Sequence, residues 1–128
     1  MDQESLVKEI KRVNNMIIED HKEVSLIMLL GNGTESYTDA FDYVISAKWL
    51  NDYEQDEGID IILDYLYGNL SFEYLKHISR VTIIHTDDSI VKNITKATYV
   101  SDSLIVGSDM ILGDLVVVPY TIIMEARS

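Results

Sequence analysis

The sequence predicts an α+β fold, and three observations carry that expectation. A helical apolar period opens the chain, a short and densely apolar run follows it, and the final third is broken into brief branched-residue runs by glycines. The expected arrangement is an N-terminal helix and a second helix packed on a mainly antiparallel sheet, with a β-rich C-terminal third.

The first helix rests on Leu6, Ile10, Val13 and Ile17, spaced four, three and four, with Val7 beside them and Lys8, Glu9, Lys11 and Arg12 on the other side. Asp2 or Ser5 can cap its start. Glu19 and Asp20 oppose the negative end of a helix dipole, so the helix is expected to finish before about His21. Val24 to Leu30 is too short and too apolar for a surface helix, and Gly31-Asn32-Gly33 halts it, which predicts a buried central strand ending in a turn. Phe41 to Leu50 is rich in aromatic and branched residues and reads as a strand pairing antiparallel with the first, a helix being the other option.

Asn51 to Gly58 reads as a charged loop. Ile59, Ile62, Leu63, Leu66 and Leu70 then predict the second helix, after which Ser71 can cap a short turn through Phe72 and Tyr74. Val81 to His85 reads as a strand. Asp87-Asp88-Ser89 before Ile90, Val91, Ile94 and Ala97 leaves helix and hairpin both open over 86–98. From Thr98 onward, glycines at 107 and 113 separate short strands, and Pro119 places its strand at an edge or a bulge. The six-residue spacing of Val106-Gly107, Leu112-Gly113 and Val118-Pro119 resembles a β-helix repeat, but three turns are too few to bury a solenoid core.

At 128 residues the chain is expected to form one domain, 1–128, with a real core, since 47% of it is apolar. With no cysteine, disulfides, thiolate metal sites and a cysteine nucleophile are ruled out. The opening Met1-Asp2-Gln3-Glu4 lacks the layout of a secretion signal and the apolar runs are short, so a cytoplasmic protein that does not span a membrane is expected. The three Asn-x-Ser/Thr triplets, at Asn32, Asn69 and Asn93, are then chance. A net charge of −12 opposes direct binding to nucleic acid or to an anionic membrane, and speeds encounter with a basic partner.

No motif calls for a cofactor. Gly31-Asn32-Gly33 lacks the third glycine and the lysine of a phosphate loop, and His21, His77 and His85 show no metal-binding spacing. His85 with Asp87 and Asp88 at a strand end is the best catalytic candidate, against the plainer role of helix cap or turn for the two aspartates. Nucleophile-elbow, Ser-x-x-Lys and paired His-Glu motifs are absent, so an enzyme is not expected.

The most informative stretch is Asn51 to Tyr74. It carries Asp52, Glu54, Asp56, Glu57, Asp60, Asp64 and Glu73 with no lysine or arginine. Asp60, Asp64 and Tyr67, spaced four and three, share a helix face roughly opposite the apolar one. Like charges at i, i+4 cost a helix a few tenths of a kcal/mol, so stability alone does not select them. Trp49, Tyr53, Tyr65, Tyr67 and Tyr74 are interleaved with the acids, and aromatic rings are common interface anchors. Asp52, Tyr53, Glu54, Asp56, Glu57, Asp60, Asp64 and Tyr67 are therefore the expected partner-binding residues, the alternative being a solvated face beside core aromatics.

The function these features point to is an acidic protein-binding inhibitor that occludes the active or nucleic-acid-binding surface of a basic toxin or nuclease. In size and charge such a chain is similar to immunity proteins. The other options are a secretion or regulatory chaperone, a phage-encoded nucleic-acid mimic directed at defence enzymes, and a small enzyme using His85 with Asp87 or Asp88.

Overall fold

The computed structural model describes residues 3–31, 40–97, 99–100, 105–107, 110–112, 116–118 and 121–127. The fold is α+β: a five-stranded, mixed and mostly antiparallel sheet, with helices on both of its faces.

Helix α1 (Gln3–His21) buries Leu6, Ile10, Val13 and Ile17, the stripe that its sequence spacing predicts. The Lys22 N–H donates to the Ile18 carbonyl, and Lys22 takes a positive φ of 72°, a common way to satisfy a helix end and turn the chain. Strand β1 (Leu26–Gly31) then lies at the centre of the sheet, as its apolar density requires. It pairs antiparallel with β2 (Phe41–Ser46), Leu26 opposite Ser46 and Gly31 opposite Phe41. Asn32 and Gly33 of the expected turn lie outside the described residues.

The expected second strand is shorter than Phe41 to Leu50. It ends at Ser46, and a 3-10 turn (Lys48–Asp52) follows, burying Leu50 and half-burying Trp49. The charged loop is shorter too, because α2 (Gln55–Asn69) begins ahead of Ile59. Asp56 and Glu57 occupy its first turn, where the positive end of the helix dipole favours carboxylates. The helix α3 (Phe72–Leu75) starts after Ser71, whose side chain makes no capping bond.

Strand β3 (Ile78–Ile83), expected at Val81 to His85, lies parallel to β2 at the sheet edge, Tyr43 opposite Val81 and Ile45 opposite Ile83. Parallel neighbours need a crossover, and the 3-10 turn, α2 and α3 supply it. The undecided 86–98 segment contains a helix, α4 (Ser89–Ala97). Asp88 decides it: its Oδ1 accepts the Ile90 N–H at 2.9 Å, an N-cap bond.

The C-terminal third is β-rich: β4 (Ile105–Gly107), β5 (Met110–Leu112), β6 (Val116–Val118) and β7 (Thr121–Ala126). The sheet order is β3-β2-β1-β7-β4, while β5 and β6 form a separate antiparallel ribbon. β4 pairs antiparallel with β7 across the β5–β6 ribbon, which is neither a sequential meander nor the parallel coils that the β-helix option needs. Pro119 lies outside the described residues.

Alternation along β1 and β2 sorts the core into two layers. Ile27, Leu29, Phe41, Tyr43 and Ile45 face α1 and α2, joining Ile10, Ile17, Ile62 and Leu66. Leu26, Met28 and Val44 face the other way, with Val91 and Ile94 of α4. Among the described residues, no helix is long and apolar enough to cross a membrane.

Candidate functional site

Helix α2 positions the site. Its inward stripe of Ile62 and Leu66 is fully buried, each such side chain contributing about 1.5–3 kcal/mol, so the helix is fixed in rotation and its outward residues are fixed with it. Two further contacts fasten it to α1: the Tyr65 hydroxyl donates to Asp20 Oδ2 at 2.7 Å, and the Arg12 guanidinium donates to the Asn69 carbonyl. Tyr65 is pushed up to about 12, first by partial burial and then by its bond to the Asp20 carboxylate and that group's charge.

All eight expected partner-binding residues are exposed. Asp52 and Tyr53 end the 3-10 turn, Glu54 precedes α2, Asp56 and Glu57 occupy its first turn, and Asp60, Asp64 and Tyr67 follow along one outward strip. Glu73 on α3 is exposed as well. Among the described residues none of these seven carboxylates is in an ion pair. Arg80, the nearest guanidinium in sequence, is committed elsewhere, its Nε donating to Asp42 Oδ1 at 2.8 Å. The segment is thus a continuous stretch of uncompensated negative charge.

The five interleaved aromatics divide. Tyr53 and Tyr67 reach solvent, at 45% and 65% exposure, and remain candidates for contact. Trp49, Tyr65 and Tyr74 are partly buried against the core. Trp49 stacks on His21 with ring centroids 3.9 Å apart, which gives His21 a packing role.

An apolar groove that no sequence motif marks completes the surroundings. Ile59, Leu63 and Tyr67 on α2, with Leu75, Ile78 and Val81, line an open groove of about 370 Å³ between α2 and the edge strand β3. Phe72, beside the acids at the start of α3, is 77% exposed. A partial signal existed for the groove: Ile59 and Leu63 continue the apolar stripe of α2 beyond what one sheet face covers.

His85, Asp87 and Asp88 do not converge on a cleft. His85 Nδ1 accepts the Asp87 N–H at 3.0 Å, and Asp88 caps α4. The depression beside His85 holds only about 80 Å³. Among the described residues no cluster of His, Asp or Glu has the geometry to hold a metal ion.

Compared with protein-family models, with curated proteins and with solved structures, the chain matched none, so its functional reading rests on this charge and geometry.

Proposed function

We propose that the chain is an acidic protein-binding inhibitor, an immunity-type protein that neutralises a basic toxin or nuclease in the cytoplasm by covering its active or nucleic-acid-binding surface. One observation carries this reading: Asp52, Glu54, Asp56, Glu57, Asp60, Asp64 and Glu73 all face solvent with no ion pair among the described residues, and Tyr53 and Tyr67 stand exposed among them.

Carboxylates without partners repel one another, and that cost is recovered when a cationic surface approaches. The exposed tyrosines supply anchoring area that loses little conformational freedom on binding. Inhibition then needs no chemistry from this chain, because a partner surface made to hold phosphates is occupied by carboxylates. The acids are concentrated between 52 and 73, which suits a local docking patch better than the long phosphate-spaced face of a nucleic-acid mimic.

The test is capture from the source cell followed by kinetics with the purified partner. The Asp60→Lys, Asp64→Lys double variant should keep its fold, associate more slowly, and bind more than about tenfold more weakly. A partner that is not basic, or an affinity that does not change, removes this function.

A further inference from the structure

The groove between α2 and β3 has an open strand edge as one wall. In the parallel pair of β2 and β3, the Ile84 N–H donates to the Ile45 carbonyl, so the backbone of Ile84 points inward to β2. Alternation then turns the backbone groups of Val81 and Ile83 outward. Gln55 marks the same side, its Nε2 donating to the Ile83 carbonyl at 3.3 Å. Gln55 thus occupies one end of the edge, while the Val81 N–H and carbonyl and the Ile83 N–H face away from the sheet, with no further strand beside them among the described residues.

An unpaired edge invites another strand, and with Val81 itself only 7% exposed the occupant reaches that backbone through the groove, whose lining says where its side chains go. Ile59, Leu63, Leu75 and Ile78 are apolar yet only half-buried. The rim defines the charge of the occupant. Asp60 lies three residues before Leu63 and Asp64 three before Tyr67, so each acid is the surface neighbour of a groove residue. Arg80, the groove's one cation among the described lining residues, is held by Asp42. A second copy of this chain would bring the same row of acids against itself, which charge forbids.

We infer that the outer edge of β3 and the adjoining groove receive an extended, lysine- or arginine-bearing segment of the partner as an added strand. Backbone bonds at Val81 hold it, its apolar side chains enter the groove, and its cations meet Asp60 and Asp64. This deepens the proposed function and rests on its basic partner.

The probe is a short synthetic peptide with threonine at every second position and valine and lysine taking turns between them, so that valine and lysine both face α2, with glutamate in place of lysine in the control, added to the isotope-labelled protein at low salt. The valine and lysine peptide should slow amide exchange at Val81 and Ile83 by about tenfold or more, roughly 1.4 kcal/mol, and the control should not. N-methylating one alternate set of peptide nitrogens should abolish the protection and the other set should leave it. Absent binding, binding without protection at Val81, or equal loss with both N-methylated sets overturns strand addition. The Asp60→Lys, Asp64→Lys variant separates the two proposals. Protection that persists undiminished in it retains the strand site and removes the acidic docking patch. Capture of a basic partner that depends on Asp60 and Asp64 yet leaves Val81 unprotected does the reverse.

Discussion

The Tyr43 hydroxyl donates to Asn14 Oδ1 at 2.7 Å inside the core, where both side chains are almost wholly shielded from water. Asn14 lies on the buried side of α1 and Tyr43 in the middle of β2, so this bond fixes how the helix sits on the sheet. The Asn14 amide also reaches Met124 Sδ at 3.5 Å. Replacing Tyr43→Phe strands the acceptor and should destabilise the fold by about 1–3 kcal/mol. Urea denaturation checks it; a loss under about 0.5 kcal/mol would mean that the pair contributes little.

Alkaline pH should loosen the junction of α1 and α2. Tyr65 is pushed up to about 12 from its ordinary 10.0, because burial and the Asp20 carboxylate disfavour the phenolate. The folded state therefore favours the protonated form. This contribution is fully present below pH 10 and is lost as pH rises through about 12. Tyr43 is raised by burial in the same direction. Stability measured by denaturant should fall across that window, and Tyr65→Phe should reduce the slope. Equal slopes for the two proteins would exclude Tyr65 as the source.

The two glycines of α2 should respond oppositely to a side chain. A Cβ at Gly68 meets no atom within 4 Å, so Gly68→Ala should stabilise by about 0.5–1 kcal/mol through the backbone alone. At Gly58 a Cβ would stand 2.8 Å from Ile83 Cδ1 and 3.5 Å from Leu50 Cδ2. The branched side chain of Gly58→Val should drive α2 from β3 and cost about 1–3 kcal/mol. Paired thermal melts give the comparison, and a stabilised Gly58→Val protein would contradict the close approach.

The acid strip should be tolerated by the helix without being favoured by it. Asp64→Lys converts a repulsive i, i+4 pair into an attractive one and should stabilise the isolated protein by a few tenths of a kcal/mol. A clear destabilisation in chemical denaturation would show that Asp64 has a structural role.

Much of this fold can be read from the chain because solvent and core impose different periods. Leu6, Ile10, Val13 and Ile17 could form only one stripe, and Leu26 to Leu30 is too apolar to face water. The exposed strip of Asp60, Asp64 and Tyr67 follows from the same geometry. Other features depend on partners distant in sequence. Nothing in Phe41 to Leu50 marks Ala47 as the break, since it is buried whether strand or turn, and Ile78 to Ile83 carries no sign that its neighbour is parallel. Asn14 resembles a polar boundary residue until Tyr43 is placed beside it. The groove is equally hidden, because it exists only where the stripe of α2 outruns the strand beneath.

The acid-bearing helix belongs to the crossover that makes β2 and β3 parallel neighbours, so it cannot swing aside without unzipping that margin of the sheet. Whatever grips it must also hold that margin closed. Ligand at a hundredfold excess over its Kd would add about 2.7 kcal/mol against unfolding, which makes a simple melting assay a screen for the cognate molecule.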